Sequence, residues 1–138
     1  MNAIPRLGTL LLVDDDRMIL DSMGGWLREQ GFTVETAGSV GQARTWLQKR
    51  PFDLVLADIR LGDGDGFDVL EHCNRHLPHL SVILMTGYGT VDLAIEALRA
   101  GAFDLLTKPL IDEELMMSIR RALSQRQSHD RGTPGGHA

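Results

Sequence analysis

An apolar run at residues 54–57 ends in a carboxylate, Asp58, and opens into a glycine-rich stretch at residues 59–66. A run of this length and composition, bounded by turn signals, is typical of a strand buried on both faces of a parallel sheet. Open α/β sheets bind their ligands in the crevice beyond the carboxyl ends of the strands. Asp58 is therefore predicted to face such a crevice.

Strand-like and helix-like segments alternate along the whole chain, which predicts an α/β fold. Strand–helix–strand units require a parallel sheet with right-handed crossovers. Five strands suit the doubly wound order 2-1-3-4-5 of flavodoxin-like proteins, with five helices covering the sheet. The strands are predicted at residues 9–13, 33–37, 54–58, 81–85 and 104–107, and the helices at 17–30, 40–50, 67–76, 90–100 and from 112.

Length and composition fit a single domain. A chain of 138 residues buries roughly 68–70% of its unfolded surface, so it needs no disulfide or structural metal to fold. The single cysteine, Cys73, excludes an internal disulfide framework and fits a reducing compartment. The predicted divisions are an N-terminal arm at 1–6, a domain at 7–127, and a disordered tail or start of a linker at 128–138, which has no apolar anchor.

Charge and hydropathy argue against several kinds of partner. The net charge of −5 disfavours direct binding to nucleic acid through phosphates. No apolar stretch reaches the ~18 residues of a membrane span, and the apolar run at 10–13 is too short for a signal peptide. The chain is expected to be cytoplasmic, with no direct contact to nucleic acid or membrane.

Polar residues follow several of the predicted strands. In the order 2-1-3-4-5, the strands that end at Val13, Asp58 and Met85 are neighbours, so the residues at their carboxyl ends meet at one rim. The residues expected there are Asp14, Asp15, Asp58, Thr86 and Lys108.

This set of side chains suits phosphoryl chemistry at a metal ion. Carboxylates in one crevice raise each other's pKa unless a cation joins them, and oxygen ligands suit Mg²⁺. An ammonium and a hydroxyl beside a metal bind phosphoryl oxygens. The set predicts a carboxylate that attacks phosphorus and becomes an aspartyl phosphate. A purely structural role is commoner for any one of these residues, but five at strand ends favour a site.

Four motifs in this order resemble those of response-regulator receiver domains. They are Val-Asp-Asp-Asp at 13–16, Ala-Asp-Ile-Arg-Leu-x-Asp-Gly-Asp-Gly at 57–66, Met-Thr-Gly-Tyr-Gly at 85–89 and Thr-Lys-Pro at 107–109. The resemblance covers about residues 7–127. The stretch at 86–104 is most similar to receivers of enhancer-binding AAA+ transcriptional activators.

The resemblance implies a two-component signalling switch, not an enzyme with an external substrate, although the domain assists its own Mg²⁺-dependent phosphorylation and dephosphorylation. A sensor histidine kinase or a phosphotransfer protein would donate the phosphoryl group to Asp58, the phosphoacceptor. Mg²⁺ is the implied cofactor. Its implied ligands are Asp58, Asp15, Asp14 through water, and the backbone carbonyl of Arg60.

The resemblance also assigns the remaining residues of the rim. Thr86 supplies the hydroxyl that moves onto the phosphoryl group, Gly87 a backbone contact to that group, and Lys108 the ammonium that pairs with it. The peptide bond before Pro109 is implied to be cis. Leu105 stands at the switch position, where the family usually has Tyr or Phe; a leucine can repack there but offers no ring or hydroxyl.

The implied output is a surface that changes on phosphorylation. A homodimer through the fourth helix, fifth strand and fifth helix is expected, as is a covalent effector domain outside this chain that acts in transcriptional regulation. One alternative is a pseudo-receiver, or a partner-binding module that phosphorylation does not regulate. Another is a dehalogenase-type phosphotransfer enzyme, which would carry Asp where this chain has Arg60.

Two bulky side chains are expected beside the path of a hydrolytic water. In receivers, the side chains two residues after the acceptor and two after the threonine flank this path, and here they are Arg60 and Tyr88. They predict a phosphorylated form that persists longer than in receivers with small residues there. The alternative is that both side chains point to solvent.

Overall fold

A computed structural model describes the backbone of residues 7–132 and the side chains of residues 7–125. The strands are β1 (Thr9–Val13), β2 (Thr33–Ala37), β3 (Leu54–Asp58), β4 (Arg60–Leu61), β5 (Gly64–Asp65), β6 (Ser81–Thr86) and β7 (Asp104–Thr107). Five of them form one parallel sheet in the order β2-β1-β3-β6-β7. Counting only these five strands, this is the predicted order 2-1-3-4-5, so the predicted fold class is confirmed.

The described part of the chain has five helices, which connect the strands and cover both faces of the sheet. They are α1 (Arg17–Glu29), α2 (Val40–Lys49), α3 (Gly66–His76), α4 (Val91–Arg99) and α5 (Asp112–Gly132). The first four begin after a short polar side chain that accepts a backbone N–H from the first turn. These caps are Asp16, Ser39, Asp65 and Thr90. None of the helices in the described chain is long and apolar enough to cross a membrane.

The three central strands are buried on both faces, which explains their continuous apolar sequences. Alternate residues point to opposite sides of the sheet. One side carries Leu11, Val55 and Leu84, and packs against α2, α3 and α4. The other side carries Leu12 and Leu56 with their neighbours, and packs against α1 and α5. All five residues of β3 are buried, so Asp58 is a carboxylate at the edge of the core.

The structure differs from the sequence prediction in two places. The glycine-rich stretch after Asp58 contains an antiparallel hairpin, in which β4 pairs with β5. Helix α5 continues to Gly132, whereas the sequence predicts a disordered tail from residue 128. Helix propagation adds one hydrogen bond per residue even without apolar anchors, and Gly132 is the first strong helix breaker in this stretch. The predicted arm at 1–6 and the tail at 133–138 lie outside the described residues.

Candidate functional site

Three carboxylates meet at the carboxyl ends of β1 and β3. One oxygen from each of Asp14, Asp15 and Asp58 lies within 4.8 Å of the other two. Asp14 and Asp58 are buried, with 1% and 7% of their surface exposed, whereas Asp15 is exposed. The Asp14 backbone is fixed by its N–H, which donates to the Ala37 carbonyl at 3.0 Å. The sequence prediction that these residues converge is thus confirmed.

Lys108 reaches this cluster from the end of β7. Its Nζ lies 3.0 Å from Oδ2 of Asp14 and 3.1 Å from Oδ1 of Asp58. The Lys108 N–H donates to the Thr86 carbonyl at 2.7 Å, which holds the residue beside β6. The Lys108–Pro109 peptide bond is cis, as the resemblance implies. The ammonium therefore bridges two of the three carboxylates.

The cluster contains more negatively than positively charged side chains. Burial raises the pKa of Asp58, and the charges of Asp14 and Asp15 raise it further, while the hydrogen bond and charge of Lys108 lower it; the net shift is upward. Burial lowers the pKa of Lys108, but its hydrogen bonds and ion pairs with Asp14 and Asp58 outweigh this, and its pKa is raised. One ammonium thus faces three carboxylates. A divalent cation held by oxygen ligands suits this arrangement.

Thr86 and Gly87 lie at the end of β6, the neighbour of β3. Thr86 is buried, and its Oγ1 accepts a hydrogen bond from the Tyr88 N–H at 3.0 Å. Gly87 is exposed, and a side chain at its Cα would meet no atom within 4 Å. Its backbone therefore borders open space at the rim, where an incoming group has access to it.

Arg60 and Tyr88 contact each other above the rim. The guanidinium carbon of Arg60 lies 5.2 Å from the centre of the Tyr88 ring, which is a cation–π distance. Both side chains are exposed, Tyr88 to 70%. The pair links β4, which follows β3, with the loop after β6. Both side chains therefore reach solvent, which is the second alternative that the sequence leaves open, and they do so in contact with each other.

Leu105 occupies the predicted switch position in β7, where it pairs in register with Leu84 of β6. Its side chain is half-buried and packs against the core beneath α2, α3 and α4. In this structure the side chain at the switch position is thus packed against the hydrophobic core.

Two residues that support the site were not singled out by the sequence. A Cβ at Gly66 would lie 2.7 Å from the Asp58 carbonyl oxygen, so only glycine allows α3 to start this close to Asp58. The position of Gly66 at the end of the motif at 57–66 is the sequence signal that could have indicated this role. Asp63 binds the first turn of α2, and no local pattern indicates a partner this far away along the chain.

Comparison with known proteins identifies the family of the chain. Residues 10–120 match the response regulator receiver domain family. The alginate biosynthesis transcriptional regulatory protein AlgB of Pseudomonas putida is 39% identical over 120 residues, which are 87% of this chain and 27% of AlgB. The chain thus spans about a quarter of the length of this curated relative.

Two solved structures share the fold. A CheY-like response regulator receiver domain protein from Methanospirillum hungatei has a TM-score of 0.83 and 32% identity, with 89% of this chain and 98% of that chain covered. The beryllofluoride-activated NtrC4 receiver domain dimer has a TM-score of 0.81 and 30% identity, with 86% and 98% covered. Together with the family match over most of its length, these likenesses establish that the chain belongs to the response regulator receiver domain family.

Proposed function

We propose that Asp58 accepts a phosphoryl group from the phosphohistidine of a sensor histidine kinase or a phosphotransfer protein. The observation that carries this proposal is the cluster itself. Three carboxylate oxygens lie within 4.8 Å of one another, and Lys108 bridges Asp14 and Asp58 at 3.0 and 3.1 Å. A lysine held in this position can pair with the oxygens of a phosphoryl group on Asp58.

The cofactor of this reaction is proposed to be Mg²⁺, held by Asp14, Asp15, Asp58 and the backbone carbonyl of Arg60. When bound, Mg²⁺ neutralises charge that develops on the transferred phosphoryl group. Its charge would also offset those of Asp14 and Asp15, which together with burial raise the pKa of Asp58. The ionised carboxylate is the form that can attack phosphorus.

The transfer itself uses the remaining residues of the rim. An Oδ atom of Asp58 forms a bond to phosphorus while the P–N bond to the donor imidazole breaks, and the electron pair stays on that nitrogen. Lys108 pairs with a phosphoryl oxygen. The Thr86 hydroxyl and the Gly87 N–H donate hydrogen bonds to the other oxygens. The Thr86 hydroxyl accepts the Tyr88 N–H in this structure, and its own proton is free to donate. Movement of this hydroxyl onto the phosphoryl group would therefore also displace the loop at Tyr88.

The output is proposed to be a homodimer surface on α4, β7 and α5. Helix α4 exposes an apolar stripe of Val91, Ile95 and Leu98, which are 75%, 43% and 59% exposed. These residues have the i, i+4, i+7 spacing of one helix face. NtrC4 is named as an activated receiver dimer. Rearrangement of the Thr86 loop, which leads into α4, would bias this surface between two states.

The domain is further proposed to control a covalent effector domain in a cytoplasmic transcriptional regulator. AlgB is called a transcriptional regulatory protein, and the matched region is only 27% of its length. The alternative is a module that binds partners without regulation by phosphorylation. Leu105 favours that alternative, because a packed leucine cannot rotate a ring between two sites as an aromatic residue can.

The proposed phosphorylation is tested by intact mass after incubation with acetyl phosphate and Mg²⁺, beside Asp58→Ala, with size-exclusion chromatography on the same samples. One phosphoryl adduct that the variant lacks supports the switch chemistry. Earlier elution of the phosphorylated form supports the homodimer and shows that Leu105 permits the output. A phosphoprotein that elutes unchanged would contradict the dimer alone, and the lack of any adduct would favour the partner-binding module.

A further inference from the structure

The first turn of α2 is capped by a carboxylate from a distant part of the chain. The N–H groups of Val40 and Gly41 donate to Oδ1 and Oδ2 of Asp63 at 2.8 and 3.0 Å. The next N–H, that of Gln42, donates to the local cap, Ser39, at 3.0 Å. The hydrogen bonds from Val40 and Gly41 lower the pKa of Asp63. This helix end therefore has one local cap and one that comes from another loop.

Asp63 lies at the tip of the β4–β5 hairpin. The pairing of Arg60 with Asp65 and of Leu61 with Gly64 leaves Gly62 and Asp63 as the two turn residues. Gly62 has no atom within 4 Å of its Cβ position, and a glycine gives the turn much conformational freedom. The Asp63 hydrogen bonds thus restrain this turn from outside the hairpin.

The opposite end of the hairpin adjoins the acidic cluster. The Gly66 N–H donates to the Ile59 carbonyl at 2.9 Å and closes the base of the hairpin directly after Asp58. Arg60, whose backbone carbonyl is the proposed Mg²⁺ ligand, follows Ile59. A shift at the tip would therefore be transmitted over only a few residues to the site.

Helix α2 is itself tied to the strand that carries Asp14. It follows β2, and the carbonyl of Ala37 at the end of β2 accepts the Asp14 N–H at 3.0 Å. The contact between Asp63 and α2 thus connects the two halves of the site. Asp58 and Arg60 belong to one half, and Asp14 belongs to the other.

We propose that Asp63 is a positioning residue for the Mg²⁺ site, because its hold on α2 fixes the hairpin and with it the Arg60 carbonyl relative to Asp14 and Asp15. The inference rests on the proposed Mg²⁺-dependent function. A carboxylate suits the task, since its two oxygens accept both N–H groups, whereas an asparagine offers only one acceptor oxygen.

Ser39 provides the matched control. It caps the same helix end but touches no part of the hairpin among the described contacts. If Asp63 served only as a helix cap, Asp63→Ala and Ser39→Ala would act alike. If Asp63 positions the hairpin, only the first variant should change the metal site. Asp63 is exposed, so the fold should tolerate its replacement.

The test is the Kd for Mg²⁺, measured by isothermal titration calorimetry on the full chain. Asp63→Ala should weaken binding by roughly tenfold, the lower end of the range for residues that orient metal ligands. Asp63→Asn should lie between this variant and the wild type, and Ser39→Ala should bind like the wild type. Equal weakening in Asp63→Ala and Ser39→Ala, or none in Asp63→Ala, would overturn the proposal.

Hydrogen exchange of the metal-free protein gives a readout that does not depend on Mg²⁺. The Gly66 amide should exchange faster in Asp63→Ala than in Ser39→Ala or the wild type, because the hairpin base opens more often. Unchanged exchange would overturn the positioning role. A wild-type protein that binds no Mg²⁺ would instead contradict the proposed function. Hydrogen exchange at the Gly66 amide would still decide whether Asp63 holds the hairpin in place.

Discussion

The ammonium of Lys108 lies 3.1 Å from the carboxylate of Asp58, although Asp58 ends β3 and Lys108 follows β7, with β6 between these two strands. The same ammonium lies 3.0 Å from Asp14. A phosphoryl group on Asp58 would therefore lie beside this ammonium.

Lys108→Met should slow phosphorylation by acetyl phosphate by roughly 100-fold, the usual cost of removing one group that stabilises charge in the transition state. The rate of adduct formation, followed by mass spectrometry, measures this effect. Lys49→Met is the control, because Lys49 is an exposed lysine on α2, and it should react like the wild type. An unchanged rate in Lys108→Met would exclude the proposed role.

Asp58 should destabilise the metal-free fold at neutral pH. Burial and the neighbouring carboxylates raise its pKa. A carboxyl whose pKa is higher in the folded than in the unfolded chain costs stability above both values, and the cost disappears as the pH falls through the folded-state pKa towards about 4. Asp58→Asn should therefore raise the Tm at pH 7, by less as the pH is lowered.

Thermal unfolding of wild type and Asp58→Asn with and without Mg²⁺ completes this test. Mg²⁺ should raise the Tm of the wild type more than that of the variant, since a ligand stabilises the state that binds it. A variant that melts below the metal-free wild type at pH 7 would contradict the charge balance described for the cluster.

The contact between Arg60 and Tyr88 should prolong the life of the aspartyl phosphate. An exposed cation–π pair is worth about 0.5–1 kcal/mol, so opening it should speed hydrolysis roughly two- to fivefold. Decay of the phosphorylated form is measured in Arg60→Ala/Tyr88→Ala, with Tyr88→Phe as a control that keeps the ring. Equal decay in the double variant and the wild type would show that the pair does not shield the site.

Two glycines that begin or continue helices should respond in opposite ways to alanine. Gly66→Ala places a Cβ 2.7 Å from the Asp58 carbonyl, and should destabilise the protein by about 1–3 kcal/mol. Gly25, inside α1, has no atom within 4 Å of its Cβ position, so Gly25→Ala should stabilise by about 1 kcal/mol. Chemical denaturation measures both. Destabilisation by Gly25→Ala would contradict the open space beside Gly25.

The sheet order and the convergence of the rim were accessible from the sequence because both follow from repeated, local signals. Each central strand is a continuous apolar run, and Asp14, Asp58 and Thr86 stand where such runs end. A parallel sheet brings these ends to one edge. The position of Lys108 is predicted by the same argument, because it follows β7, the next strand beyond β6.

The supporting contacts were not accessible, because they join residues that no short pattern connects. The hairpin consists of strands of two residues each, too short for any periodicity. The Asp63 cap spans 22 and 23 residues, and the approach of Gly66 to Asp58 depends on how α3 leaves the sheet. The sequence predicts too early an end for α5, because residues 124–132 contain no apolar residue that would signal a continuing helix.

Borohydride reduction tests most directly whether Asp58 carries the phosphoryl group. An acyl phosphate is reduced to an alcohol, so the phosphorylated aspartate becomes homoserine, which peptide mass spectrometry locates. After treatment with acetyl phosphate and Mg²⁺, homoserine is expected at position 58 and not in place of Asp14 or Asp15. Homoserine at one of those positions, or at none of the three, would contradict phosphorylation of Asp58.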